Sequence, residues 1–189
     1  KAGVLRAGDL RGCLFGAHLY EPVLHVTKGS RIQIAPVSLN ESEFQFLDDL
    51  RIYVERDQSR LASEGIELFL LRNESRGRGI GFFEAGNFYP DFLLWLVKDG
   101  KQHLSFVEPH GLQHEGPGHK KIEFHHVIKD IQARLASDNV VLNSFIVTPT
   151  RFGKLNWGKT IQELEDMHVL FMEDQRDQYV RTIIDLMVA

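Results

Sequence analysis

Residues 89–111 read YPDFLLWLVKDGKQHLSFVEPHG. Two apolar runs flank the polar, glycine-containing segment Lys98–Lys101, a pattern that predicts a β-hairpin. Asp91 opens the first predicted strand, and Glu108 closes the second. An antiparallel pair joined by a tight turn places the start of one strand beside the end of the other. We therefore expect these two acids to meet at one edge of a sheet, where carboxylate oxygens suit a hard divalent cation.

The segments around this hairpin predict an α/β (α+β mixed sheet) fold, with a central mixed β-sheet flanked by helices. Residues 39–189 form the main predicted domain, and residues 1–38 are expected to be an N-terminal arm with a β-hairpin made from Val23–Thr27 and Arg31–Pro36. The main domain begins with a helix, continues with strands, and then alternates helices and strands. Its predicted elements outside the hairpin are Leu39–Arg56, Ile66–Leu71, Ile80–Glu84, His119–Ala136, Val140–Val147, Lys159–Asp166, His168–Met172 and Gln175–Val188.

The first predicted helix carries an acid in an unusual place. Asn40 is a good N-cap, and Glu43 stands where a capping box has its acidic residue. Glu43 also lies on the apolar face of the helix, where burying an unpartnered charge is costly. Two interpretations stay open: Glu43 caps the helix, or it points at the Asp91–Glu108 edge.

Composition limits the class of protein. The chain has 189 residues, of which 43% are hydrophobic and 25% are charged, as in ordinary globular domains. A single cysteine, Cys13, excludes an internal disulfide and any site built from several cysteines. A net charge of −4 argues mildly against a protein that coats nucleic acid. We see no membrane-spanning run and no signal peptide, and we expect a cytoplasmic domain excised from a larger protein, since it begins with Lys1.

The motif Pro90-Asp91, followed by a hairpin and Glu108-Pro109-His110, resembles the PD-(D/E)xK nuclease superfamily of restriction and DNA-repair enzymes. The sequence departs from that signature at His110, where the family has lysine. The sequence from Glu84 to Phe92 is similar to sequences of nuclease domains at the C-terminal end of DEAD/DEAH-type helicase and restriction subunits. The resemblance extends from about Leu39 to Glu123.

The resemblance implies a restriction-endonuclease-like core and a metal-dependent endonuclease that hydrolyses DNA with Mg²⁺ (or Mn²⁺). The implied metal ligands are Asp91, Glu108 and the backbone carbonyl of Pro109, with Glu43 assisting. The implied parent is a helicase-linked restriction or phage-defence protein of the bacterial or archaeal cytoplasm. Its expected partners are DNA and the other domains or subunits of that complex, with no membrane. A homodimer is expected only by analogy with enzymes that cut both strands.

Three alternatives are open for the missing lysine. Neutral imidazole accepts a proton near pH 7, so His110 is one candidate general base. Lys120, with Lys121 beside it, is expected on the inward side of the next helix and is a candidate relocated lysine. The third alternative is a catalytically weak or inactive domain that binds DNA or mediates assembly.

Local basic and polar residues are candidate DNA contacts, although each is also typical of a solvated loop. They are Arg76, Arg78, Gln113, Lys121, Arg151 and Lys154. Six histidines between His103 and His126 make zinc conceivable, but their spacing matches no compact zinc motif. An unrelated hydrolase or sugar-modifying enzyme is a further alternative, and it predicts no cation at the Asp91–Glu108 edge.

Overall fold

The structure, a computed structural model, describes residues 3–14, 23–31, 38–74, 79–82, 88–135, 137–176 and 178–189. In the main domain, two helices are followed by three strands, after which helices and strands alternate. The strands are β1 (Gly3–Ala7), β2 (Leu10–Leu14), β3 (Val23–Val26), β4 (Glu67–Arg72), β5 (Phe92–Lys98), β6 (Lys101–Pro109), β7 (Val140–Thr148) and β8 (Val169–Phe171). The helices are α1 (Glu41–Arg56), α2 (Gln58–Ser63), α3 (Lys120–Leu135), α4 (Ile161–Asp166) and α5 (Tyr179–Val188).

The main sheet has five strands in the order β4-β5-β6-β7-β8. Strands β4, β5 and β6 are antiparallel neighbours, whereas β6, β7 and β8 run parallel. The predicted hairpin is confirmed as β5 and β6. Its two-residue turn places Asp99 at φ 50° and Gly100 at φ 75°, the left-handed conformation that Asp-Gly favours in tight hairpins.

Helices cover both faces of this sheet because side chains alternate along each strand. Phe92, Leu94 and Leu96 of β5 pack into a cluster with α1 and α5. Leu93, between them, joins a second cluster with Phe124 of α3. A third cluster joins α4 to β8. The predicted mixed α/β fold, with a mixed sheet flanked by helices, is therefore confirmed.

The first helix begins as its sequence predicts. The Asn40 side chain accepts a hydrogen bond from the N–H of Glu43, and the Glu43 carboxylate accepts one from the N–H of Asn40. Leu47 and Leu50 of α1 are completely buried against the sheet. Burying each stabilises the fold by about 1.5–3 kcal/mol. The capping box fixes where α1 begins, and this burial fixes which face it turns to the sheet.

The orientation of α3 differs from the prediction. The predicted apolar stripe included Leu135, but that side chain is 53% exposed. Ile122 and His125, which the stripe left out, are buried. The helix packs against two clusters at once, one around Phe124 and one around Ile122, and this double contact rotates its buried face. Lys121 is consequently half-buried, whereas Lys120 is exposed, so the expected inward position of Lys120 is wrong.

The N-terminal segment forms a separate small sheet in the order β1-β2-β3. Arg11 bonds Glu41 at 3.1 Å, and His25 Nδ1 lies 3.0 Å from the Leu39 carbonyl, which attaches this sheet to the start of α1. Strand β3 pairs with β2, while residues 32–36 of the predicted partner strand Arg31–Pro36 lie outside the described residues.

Several other boundaries differ from the sequence-based prediction. Helix α5 begins at Tyr179 rather than Gln175, because the Gln175 side chain accepts a hydrogen bond from the N–H of Phe171 in a preceding turn. From the predicted strand Ile80–Glu84, the structure describes only an isolated bridge between Phe82 and Phe88, and residues 83–87 lie outside the described part. Within the described ranges, every helix is too short or too polar to cross a membrane.

Candidate active site

The structure brings Asp91 and Glu108 together at the open end of the hairpin. Phe92 of β5 pairs with Val107 of β6, so Asp91 and Glu108 occupy the next positions outward. The N–H of Asp91 donates a hydrogen bond to Glu108 Oε2 at 3.2 Å. Because alternate residues share a face, both acids lie on the same side as Leu93 and Phe106, the side that α3 covers. The sequence-predicted convergence of the two acids is thus present.

Burial makes this pair electrostatically unfavourable without a cation. Burial, followed by the charges of Glu108 and Glu43, raises the pKa of Asp91 to about 8, and nearby Lys121 opposes the rise. At neutral pH, the folded protein therefore holds Asp91 largely protonated beside the Glu108 carboxylate. A divalent cation would favour the ionised form of Asp91, since it adds positive charge where negative charges are crowded.

A lysine completes the cluster, and it comes from α3. Lys121 Nζ donates to Glu108 Oε1 at 2.6 Å and lies 3.4 Å from Nδ1 of His110. Glu108 is only 5% exposed, so this ammonium supplies its principal compensating charge. The relocated-lysine alternative named Lys120, but the lysine at the acids is its neighbour.

His110 is positioned to hold that lysine. An ammonium has only donors, so Nδ1 of His110 is the acceptor and Nε2 carries the proton in the neutral ring. Nε2 lies 3.6 Å from Glu115 Oε1, and His119 Nε2 lies 3.2 Å from the other oxygen of Glu115. Burial, followed by the charge of Lys121, lowers the pKa of His110, which keeps its imidazole neutral at pH 7.

Glu43 is both a cap and a member of the acidic region. Besides capping α1, its carboxylate lies 3.8 Å from Arg72. Burial raises the pKa of Glu43, and the charge of Glu108 adds to the rise. The neighbouring Ser42 hydroxyl lies 3.5 Å from the Pro109 carbonyl, so the first turn of α1 reaches the end of β6. The two interpretations of Glu43 are therefore compatible.

The donor set at this edge fits a minimal magnesium site. In the described ranges, no group of three or more His, Cys, Asp or Glu side chains is arranged to hold a metal ion. Mg²⁺, however, is commonly held by one or two carboxylates together with waters and substrate oxygens. Asp91, Glu108 and the Pro109 carbonyl match that requirement, and burial, followed by the charges of Glu108 and Glu43, raises the pKa of Asp91.

The predicted DNA contacts within the described residues fall in two places. Gln113, Arg151 and Lys154 line one open cleft of about 450 Å³ at the sheet edge that also carries the acids. Lys121 lies in the ion pair with Glu108. Arg76 and Arg78 lie outside the described residues.

Sequence reasoning assigned Lys121 only to DNA contact and overlooked Ser42. A signal for Lys121 was present, because Lys121, Phe124 and Ile128 are spaced three and four residues apart and share one helical face. The pairing of Arg72 with Glu43 depends on the end of β4 meeting the start of α1.

Comparisons with protein-family models, with curated proteins and with solved structures found no match to this chain.

Proposed function

We propose that this chain is a restriction-endonuclease-like domain that hydrolyses DNA phosphodiester bonds with Mg²⁺ or Mn²⁺. The observation that carries the proposal is the cluster of Asp91, Glu108 and Lys121 at one edge of a mixed sheet. These are the residue types of the Pro-Asp…Glu-x-Lys signature, except that the lysine comes from α3 instead of β6. The resemblance in sequence and this cluster support the same activity.

The protein groups have distinct tasks in this reaction. Asp91, Glu108 and the Pro109 carbonyl would hold the cation, which would supply polarisation of a phosphoryl oxygen and activation of water. Lys121 places a positive charge at the acids, where it stabilises negative charge that develops on the phosphate. His110 accepts a hydrogen bond from Lys121 and so fixes the position of that ammonium. His110 stands where the signature has lysine. Because it positions Lys121, this departure from the signature is compatible with activity.

The wider biological setting is proposed from the sequence resemblance. The domain acts in a bacterial or archaeal cytoplasm as part of a helicase-linked restriction or phage-defence protein. DNA and the other domains or subunits of that complex are its partners, and two copies of the domain together cut both strands.

Plasmid nicking tests the activity. We expect the parent protein to nick supercoiled plasmid with Mn²⁺, and Asp91→Asn to lower the rate at least about 100-fold, the scale of losing one major stabilising group in a transition state. Asp99→Asn is the matched control, because Asp99 lies at the opposite end of the same hairpin. Equal rates for parent and Asp91→Asn would contradict the proposal.

A non-catalytic DNA-binding or assembly module is the second candidate. The Lys121–Glu108 ion pair favours it, since Glu108 is already neutralised by a protein cation at 2.6 Å. Calorimetric titration with Mn²⁺ separates the two functions. A nuclease binds Mn²⁺ through Asp91, whereas the module binds DNA equally well without metal and never cuts it.

A further inference from the structure

The open cleft beside the acids lies at the carboxyl ends of two parallel strands. Gly111 follows β6, and Pro149 and Thr150 follow β7. Crevices at the carboxyl ends of parallel strands are common ligand sites in α/β sheets. The volume of about 450 Å³ is also within the range of small-ligand sites.

The walls of this cleft are tied together before any ligand arrives. The Thr150 hydroxyl accepts a hydrogen bond from the N–H of Leu112 at 2.9 Å, which joins the loop after β6 to the loop after β7. The N–H of Phe152 donates to the Asp174 carboxylate at 2.8 Å, which anchors the short 3₁₀ turn from Phe152 to Lys154. The side chains that this turn presents are therefore held on an ordered backbone.

The side chains in the cleft suit a nucleotide. Arg151 presents a guanidinium with several donors, and its ion pair with Glu173 is loose at 3.9 Å. Lys154 adds a second cation to the same cleft. Gln113 and His114 contribute an amide and an imidazole, groups that both donate and accept hydrogen bonds as a base edge does. The cleft thus offers positive charge for a phosphate and polar groups for a base.

The cleft lies at the same edge of the sheet as the acids, and one peptide segment links the two. Gly111 directly follows His110, whose ring contacts Lys121, and Lys121 contacts Glu108. We propose that the cleft is the subsite for the nucleotide next to the scissile phosphate, with Arg151 and Lys154 at its phosphate and Gln113 and His114 at its base. This inference rests on the proposed nuclease function and names where the substrate strand lies.

Metal-free DNA binding tests the subsite independently of cleavage. We expect Arg151→Ala/Lys154→Ala to weaken binding of a fluorescein-labelled DNA oligonucleotide at least about tenfold, measured by anisotropy. The slope of log affinity against log salt should fall by about 1, the value for one lost phosphate contact. The matched control is Lys98→Ala/Lys101→Ala, which removes two cations from the turn end of the hairpin. Equal weakening in both double variants would overturn the proposal, since it would show general attraction to positive charge.

Steady-state cleavage gives the second readout. We expect the Arg151/Lys154 variant to raise KM at least about fivefold with kcat within twofold, because the subsite binds substrate and does not touch the reacting atoms. If the variant cleaves and binds as the control does while Asp91→Asn is inactive, the subsite is wrong and the nuclease function stands. If no protein cleaves but the binding difference persists, the nuclease function is wrong and the cleft remains a nucleic-acid site.

Discussion

The two ends of the β5–β6 hairpin carry the same kind of side chain in opposite surroundings. At the turn, Asp99 is exposed in a left-handed conformation, flanked by Lys98 and Lys101. At the open end, Asp91 lies beside the buried Glu108. At that end, Lys121 of α3 bonds Glu108, and the Ser42 hydroxyl in the first turn of α1 lies 3.5 Å from the Pro109 carbonyl. Helix packing around the open end, and not the strand pair itself, therefore converts an ordinary carboxylate into a candidate metal ligand.

Removing the lysine at the open end should have the largest effect on stability. Lys121→Met leaves Glu108 buried without its partner, which we expect to lower the free energy of unfolding by about 3 kcal/mol. Lys120→Met, next to it on the exposed side, should stay within about 0.5 kcal/mol of the parent. Urea unfolding at pH 7 measures both. A similar small effect for the two variants would show that the ion pair does not support the open end.

A double variant sharpens that result. Adding Glu108→Gln to Lys121→Met removes the buried carboxylate that has lost its partner. We therefore expect the double variant to be more stable than Lys121→Met alone. If the double variant is instead less stable by the sum of the two single changes, the two side chains do not interact.

Thermal stabilisation by Mn²⁺ should depend on the open end of the hairpin and not on its turn end. Mn²⁺ at about 100 times its dissociation constant stabilises a protein by about 2.7 kcal/mol. For a domain of this size that raises Tm by about 5–10 °C. We expect the parent and Asp99→Asn to show this rise in thermal scans and Asp91→Asn to lose it. A rise that survives in Asp91→Asn would place the bound metal elsewhere.

The pH dependence of stability should follow the raised pKa of Asp91. The folded-state pKa of about 8 lies above the ordinary value of 3.8, so the folded state holds its proton more tightly than the unfolded chain. Stability from this group is fully present below about pH 4 and is lost as the pH rises through about 8. We therefore expect metal-free Asp91→Asn to exceed the parent in Tm by at least about 2 °C at pH 9 and to lose that advantage at acid pH.

Asp99→Asn is the control for this pH effect, since it makes the same substitution at the turn. Its Tm should track that of the parent from pH 4 to pH 9. An equal pH-dependent gain for both variants would show that the effect does not belong to the open end.

A substitution at the turn end of the hairpin should have the smallest effect on stability and activity. Gly100→Ala places a side chain at φ 75°, which we expect to cost about 1 kcal/mol in urea unfolding. Plasmid nicking should not change, because the turn is remote from the acids. Gly116→Ala is a suitable comparison, because an added Cβ there meets no atom within 4 Å and its stability should be unchanged or slightly higher. A loss of nicking in Gly100→Ala would mean that the two ends are coupled.

Short sequence patterns were sufficient to predict several elements of this fold. The two apolar runs around the polar segment Lys98–Lys101 predict the hairpin, and the structure confirms it. The Asn40–Glu43 box predicts where α1 begins. These predictions succeed because hydrogen bonds within a turn or a cap involve residues only a few positions apart.

The sequence-based prediction is wrong where a helix packs against the sheet. The sequence of α3 contains two overlapping apolar faces, one including Lys120 and the other including Lys121. Contacts with the clusters around Phe124 and Ile122 choose the second face. The role of His110 depends on that choice, since its ring meets Lys121 only when α3 is rotated this way.

The sequence by itself determined that two acids converge at the end of a hairpin, because β-pairing fixes which residues are neighbours across a turn. Tertiary structure alone decided which cation joins them, how strongly Asp91 is buried, and that Arg151 and Lys154 share a cleft with Gln113. Those properties depend on the rotation and placement of elements that are distant in sequence. They follow from the packing of α3 and of the loop after β7 against the sheet, which no short stretch of residues encodes.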